Sequence, residues 1–324
     1  MKAEYIVEYA KITNLIREKN KFLIVSHIYP DGDAIGSVLG LLNLLLRLGK
    51  TASAYIADRI PRQFQYLPNI ELIKTALDRK PEVEATFILD SSNIERVGSA
   101  SKFISSPIVN IDHHPDNSLF ADINLVDSTA SSTSEIVFNI LKYFPLDKDT
   151  VSALYYGLLS DTGGFMYGNT NKLTFKTALE MLEYGISPAE IAYKLFYSTP
   201  YDTMRLYIEV ASSVKIDIDA KIAWCIVPLK IMESDNFQNN TSPLLDMLLR
   251  IEEADTIILF KEHKDKYRVS LRSKTRDVGS VARALGGGGH RGASAFDLLD
   301  KEESAIIDTV NKIKVMLGGE PWTE

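Results

Sequence analysis

The rhythm of the first ~195 residues constrains this fold most: strand-length apolar runs alternate with helical patterns. Residues 22–26, 51–56, 85–89 and 107–111 are short and apolar, while 33–48, 134–143, 150–160 and 171–184 carry helical spacing. Gly185 is placed to cap the last of these helices. Such alternation predicts an α/β domain built on a parallel sheet covered on both faces. Ligands of open parallel sheets bind beyond the carboxyl ends of the strands, near a topological switch point.

Those ends carry the chemistry. His27-x-x-x-Asp31-x-Asp33 follows the first run, Asp90 follows 85–89, and Asp112-His113-His114 follows 107–111. Asp161 stands in a similar acidic motif within residues 158–164. Of five histidines in the chain, three fall in these motifs, a concentration that suits a metal site better than a core. Each motif also has a plainer reading. Asp31-Gly32-Asp33 can be a turn and helix cap, Asp90 a loop cap and Asp161 a turn residue.

Carboxylate and imidazole ligands without thiolate suit Mn²⁺ ahead of Fe²⁺, Co²⁺ or Mg²⁺, and argue against structural zinc. Four aspartates and two histidines exceed the needs of one ion. Two divalent ions roughly 3.5–4 Å apart clamp a phosphoryl group in hydrolytic centres. A histidine left free beside them would polarise the phosphoryl or protonate the leaving oxygen. The reaction class expected is metal-assisted phosphoester hydrolysis.

At 324 residues the chain exceeds one ordinary core, and 45% hydrophobic with 24% charged residues is the balance of a soluble globular protein. Residues 188–214 have helical spacing broken at Ser198-Thr199-Pro200, where a kink is expected. Beyond them, 222–227, 256–260 and 267–271 read as strands, and 243–251, 278–285 and 301–317 as helices. The expected organisation is a catalytic domain over 1–194, a helical linker over 195–214 and a smaller α/β substrate-binding domain over 215–324, with a cleft between the two domains.

The longest apolar run, 38–48, is interrupted by Asn43 and Arg47 and is too short to cross a bilayer. Residues 1–21 are charged throughout and hold no apolar signal core, so no membrane association and a cytoplasmic location are expected. The single Cys225 excludes an internal disulfide and a cysteine-rich zinc site.

A net charge of −7 argues against a grip on long nucleic acid. Locally the sign reverses: residues 261–291 hold nine Lys or Arg against three acids. Within that stretch lies Gly286-Gly287-Gly288-Gly289-His290-Arg291. Glycines let backbone N–H groups approach anionic oxygens, His290 and Arg291 add charged donors, and Arg272 offers a planar fork to phosphate. The alternatives are a flexible glycine linker and, for Lys261, Lys264 and Lys266, a solvated edge. His263 reads as surface.

The acidic motifs together resemble the DHH phosphoesterase superfamily, named for the triplet seen here as Asp112-His113-His114. Its first motif is matched by residues 27–37, its second by Asp90 and its fourth by Asp161, in the expected order. The resemblance implies two ions: His27, Asp31 and Asp90 on one, and Asp33, Asp90, His113 and Asp161 on the other. Asp90 would bridge them, His114 would face the substrate and Asp112 would support the site. Arg96 is a weaker family-like position with no role derived for it.

The C-terminal part resembles the DHH-associated domain that binds nucleotide substrate. Its signature is Ser270-Leu271-Arg272-Ser273 and Gly286-Gly287-Gly288-Gly289-His290, followed by Ala293-Ser294-Ala295. Ser294 and Ala295 depart from the family's usual Ala-Ala-Gly. The resemblance implies substrate contacts from Ser270, Arg272, Gly287, Gly288, Gly289, His290 and Arg291.

Within the superfamily, the two-domain form most resembles the branch that degrades very short oligoribonucleotides and hydrolyses 3′-phosphoadenosine 5′-phosphate. A phosphodiesterase for cyclic or linear dinucleotides is the alternative, although no sensor domain accompanies this sequence. Family II pyrophosphatases lack the Gly-His signature, and the single-strand DNA exonuclease branch needs additional domains. A catalytically silent nucleotide-binding module is the alternative of another class, and intact ligands at every motif argue against it. The resemblance leaves a homodimer open, with no patch in the sequence that argues for it.

Overall fold

The computed structural model describes residues 5–61, 64–77, 79–234, 237 and 241–318. The chain divides into two compact units, Met1–Ser198 and Thr199–Glu324.

The first unit runs α1 (Ile6–Glu18), β1 (Lys21–Val25), α2 (Gly32–Arg47), β2 (Thr51–Tyr55), β3 (Ile73–Lys74), β4 (Ala85–Leu89), β5 (Ile108–Asp112), β6 (Ile123–Val126), α3 (Thr133–Leu141), α4 (Lys148–Asp161), α5 (Lys172–Leu182) and α6 (Pro188–Phe196). Its sheet is wholly parallel, in the order β3-β2-β1-β4-β5-β6. The chain winds outward from β1 to one edge, then crosses back and winds from β4 to the other. The switch point therefore lies between β1 and β4, and His27 and Asp90 leave the sheet there.

Alternation along the strands divides the sheet's faces, and the two coverings differ. Phe22, Ile24, Phe87, Leu89, Val109 and Ile111 enter the large core shared with α1 to α5. Leu23, Val25 and Ile88 point the other way, into a thin core closed by Val97 and Ala100 of a 3₁₀ segment, Glu95–Phe103. Both faces are covered as expected, the second by short 3₁₀ turns and loops.

One spacing places α2. Gly32, Gly36 and Gly40 recur every four residues and share a stripe of the helix. A Cβ at Gly36 would lie 2.6 Å from the Ala153 carbonyl oxygen and 2.8 Å from Gly157 of α4. Glycine is required for this approach, which brings the start of α2, with Asp33, beside the end of α4, with Asp161.

The second unit runs α7 (Tyr201–Ala211), β7 (Lys215–Asp217), β8 (Ile222–Val227), α8 (Leu229–Met232), α9 (Ser242–Leu248), β9 (Thr256–Glu262), β10 (Tyr267–Ser273), α10 (Val278–Ala284), β11 (Gly288–His290), β12 (Ala293–Leu298) and α11 (Glu303–Met316). Its six-stranded sheet, ordered β11-β12-β10-β9-β8-β7, is mixed: β8 and β9 are parallel and the other pairs antiparallel. Phe260, Val269, Leu271 and Phe296 pack under residues of α10 and α11. Ala223, Cys225, Ile257 and Leu259 face the opposite way, under Tyr207 and Val210 of α7 and Leu244 and Leu248 of α9. The segment expected to connect the domains thus contains α7, which helps close this second core.

Among the described residues, no helix is long and apolar enough to cross a membrane.

Candidate metal and phosphoester site

The six expected ligands of the first unit come together beyond the sheet's switch point. Asp31 caps α2, its Oδ1 accepting from the Asp33 and Ala34 amides at 3.0 Å each. The capping reading therefore holds, and the same carboxylate stands beside His27 and Asp90. Ligand atoms of His27, Asp31 and Asp90 lie within 4.8 Å of one another, as do those of Asp33, Asp90 and His113. Asp161 completes the second group, with Oδ2 3.6 Å from His113 Nε2. It stands on the last residue of α4. Three of the four motifs therefore sit at strand ends, and the fourth reaches the same place from a helix terminus.

Asp90 belongs to both groups. Its Oδ2 is 3.4 Å from His27 Nε2, and its Oδ1 is 3.7 Å from His113 Nε2. Its backbone is left-handed, φ 57°, a conformation that few non-glycine residues adopt and that aspartate tolerates better than most.

The nitrogens suit a cation. His27 Nδ1 is 2.8 Å from the Ile28 carbonyl oxygen, which can only accept, so Nδ1 carries the hydrogen. The basic atom Nε2 is then left buried, with no hydrogen bond, toward the carboxylates. Aspartate and histidine donors, one orphaned buried nitrogen and no thiolate make a set that fits divalent ions of the Mn²⁺ type.

The electrostatics fit as well. Burial, with the charges of Asp90 and Asp161, pushes Asp33 well above the usual carboxylate range. Asp161 rises to about 6, by burial and by Asp31 and Asp90 against the opposing pull of His113. Burial would lower His113, but Asp161, Asp90 and Asp33 outweigh it and raise the imidazole to about 9. Asp90 stays ionised: burial opposes that, and the imidazoles of His27, His114 and His113 overcome it. Crowding of buried carboxylates is what raises them, and a divalent cation bound among them would favour their charged forms.

Asp112 and His114 form a separate pair. Asp112, the last residue of β5, accepts from His114 Nδ1 at 2.7 Å on Oδ1 and from Asn117 Nδ2 at 2.6 Å on Oδ2. Arg96 Nη1 comes within 3.4 Å of His114 Nε2 and can only donate. This supplies the contact that the sequence left underived for Arg96. Asn117 also donates to Asn110 Oδ1 at 2.8 Å, so the pair rests on a partly buried amide network. Asn117 carried no signal in the sequence, and neither did Asn169, whose Nδ2 lies 3.3 Å from Asp161 Oδ2.

In the second unit, strand register sorts the seven expected residues. Ser270 and Arg272 of β10 pair with Ala295 and Ala293 of β12, which pair in turn with Gly288 and His290 of β11. Directly opposed residues share a face, so Ser270, Arg272, Gly288 and His290 stand on one side of the sheet. Gly287, Gly289 and Arg291 alternate away from it. Close packing calls for glycine at two of these positions. A Cβ at Gly287 would lie 2.1 Å from the Ala295 carbonyl oxygen, and one at Gly289 2.6 Å from that of Ala293. The glycine run is thus a close-packed strand edge and not a linker. Arg291 is exposed, its Nη2 3.4 Å from the Thr275 carbonyl oxygen. Ser294 is buried and donates to the Val278 carbonyl at 2.6 Å, so its hydroxyl is satisfied where the family carries alanine.

Lys261 lies on the same face, opposite Arg268, four residues before Arg272 on the neighbouring strand. It is half-buried, which corrects the solvated-edge reading for this residue. Burial, then Arg268 and Arg272, lower its ammonium to about 7. Lys266 and Arg268 share Asp297, at 2.7 and 2.9 Å, while Lys264 is exposed beside Glu233.

Comparison with known proteins agrees with this layout. The DHH family N-terminal domain matches residues 21–158 and the DHHA1 domain matches 221–315. The chain is 30% identical over 295 residues to the probable bifunctional oligoribonuclease and PAP phosphatase NrnA of Streptococcus mutans, covering 89% of this chain and 94% of that one. It is 28% identical over 296 residues to the bifunctional oligoribonuclease and PAP phosphatase NrnA of Thermus thermophilus, covering 89% of each. The crystal structure of an exopolyphosphatase-related protein from Bacteroides fragilis superposes with a TM-score of 0.85 at 26% identity, over 96% of this chain and 97% of that one. Four ordered motifs meeting at one switch point, both domain matches and a full-length relative lead to a single assignment: the chain belongs to the DHH family.

Proposed function

We propose that this DHH-family protein, a hydrolase of phosphoester bonds, degrades short oligoribonucleotides to mononucleotides and converts 3′-phosphoadenosine 5′-phosphate to AMP. The observation that carries the reading is the sharing of Asp90 between two donor groups, one oxygen toward His27 and the other toward His113. His27, Asp31 and Asp90 would hold one divalent ion, and Asp33, Asp90, His113 and Asp161 a second, with Mn²⁺ the best match to these donors. When bound, such ions polarise the phosphoryl group and lower the pKa of water.

The chain's own part is positioning and proton traffic. Asp112 keeps the His114 ring oriented with its hydrogen on Nδ1. Nε2 is then the atom that exchanges a proton with the leaving oxygen. Ser270, Arg272, Gly288 and His290 present a common surface for the nucleotide, with Arg272 as its phosphate fork. The substrate choice is supported by the names of the relatives and by the cationic residues of this face.

The test is turnover with Mn²⁺ on a five-residue RNA, a dinucleotide, 3′-phosphoadenosine 5′-phosphate, a cyclic dinucleotide and pyrophosphate. Preference for the short RNA and the 3′-phosphate is expected. Preference for the cyclic dinucleotide would overturn the substrate assignment and leave the metal chemistry standing. No turnover of any substrate, with ions bound, would mark a nucleotide-binding module.

A further inference from the structure

The N-terminus of α3 reaches into the site although none of its residues belongs to a ligand motif. The amides of Thr133 and Ser134 donate to Asp33, at 2.6 Å on Oδ2 and 2.9 Å on Oδ1. The Thr133 hydroxyl donates to Asp90 Oδ1 at 3.0 Å. All four residues are buried. One residue, Thr133, therefore ties together two carboxylates that come from β1–α2 and from the end of β4.

The choice of oxygen matters. Asp90 Oδ1 is the oxygen on the His113 side, and Oδ2 is the one on the His27 side. A carboxylate can turn about its last bond, and nothing in Asp90 alone decides which oxygen faces which group. The Thr133 hydroxyl marks Oδ1, while the Thr133 amide holds Asp33 beside it.

We infer that Thr133 is a positioning residue for the metal centre: it fixes the rotation of Asp90 and its separation from Asp33, and so sets the affinity of the group formed by Asp33, Asp90, His113 and Asp161. The inference rests on the two-ion reading above. It predicts that the hydroxyl, more than the bulk of the side chain, is what counts. Groups that orient a ligand from behind typically change metal affinity by about 10–100-fold when removed.

The experiment is titration of Mn²⁺ into the metal-free full chain by calorimetry, with Mn²⁺ electron paramagnetic resonance to report coupling between paired ions. Wild type, T133S and T133V are compared, because valine keeps the shape and the backbone donor but loses the hydroxyl. T133A makes the same deletion should the valine variant fail to fold. Expected are two ions with spin coupling in wild type and T133S. In T133V, one ion should weaken by about 10–100-fold and the coupling should fall. Two ions bound equally tightly by wild type and T133V would overturn the role of Thr133 while leaving the metal centre intact. Failure of wild type to bind two ions would instead sink the two-ion reading itself.

Discussion

His27 Nε2 and Asp90 Oδ2 face each other across 3.4 Å, both side chains almost wholly buried, at the exits of neighbouring parallel strands. Adjacent exits at a switch point bring these residues together with no further long-range design. Asp90→Ala removes the carboxylate that both donor groups share. Turnover is expected to fall by at least about 10³-fold, on the scale of losing a principal electrostatic stabiliser. Mn²⁺ stoichiometry, measured calorimetrically, should fall with it. A variant that still binds two ions would show that the bridging role is misassigned.

Asp112→Asn and His114→Ala probe the proton path. Asp112 accepts the Nδ1 hydrogen, and asparagine can offer its amide hydrogens instead and favour the other tautomer. Each variant should lower kcat by about 10²–10⁴-fold, the usual weight of acid–base catalysis, while both ions remain bound. Loss of Mn²⁺ from His114→Ala would place His114 among the ligands.

Arg272 and Lys261 share a face of the second sheet and should act on binding. Arg272→Ala is expected to raise KM by about 10–100-fold with kcat little changed, the scale of one charge-assisted hydrogen bond. Lys261 adds a pH signature. With its ammonium lowered to about 7, by burial and then by Arg268 and Arg272 with only Asp297 opposing, it is charged below that pH and neutral above it. Its help to an anionic substrate is therefore present at pH 6 and lost as pH rises through about 7. The KM ratio of Lys261→Ala to wild type should be larger at pH 6 than at pH 8.5, and a ratio independent of pH would remove Lys261 from the binding face.

Gly287→Ala tests the glycine run as packing. The added Cβ would start 2.1 Å from the Ala295 carbonyl oxygen, so β11 and β12 must separate. A loss of about 1–3 kcal/mol is expected, the range for overpacking a filled site. Gly168→Ala, where a Cβ meets nothing within 4 Å, should stay within about 0.5 kcal/mol. Urea denaturation of both variants measures the contrast, and equal stabilities would return the run to the role of an open loop.

What sequence alone could determine here was local. Strand-length apolar runs announce β1, β4 and β5 because a strand buried on both faces must be apolar at nearly every position. Acids and histidines just past them stand out because such residues do not belong in a core. The register-dependent elements were not legible. Residues 288–290 read as a glycine run and form β11, since only the partner strand β12 reveals that the absent side chains make room for its backbone. The α3 terminus is similar. The helical pattern over 134–143 is legible in the sequence, but that the amides at the helix start and the Thr133 hydroxyl end at Asp33 and Asp90 depends on contacts 43 to 101 residues apart. Periodicity records how a segment meets water and core. Which carboxylate a donor reaches is decided only when the sheet, α2 and α4 have packed.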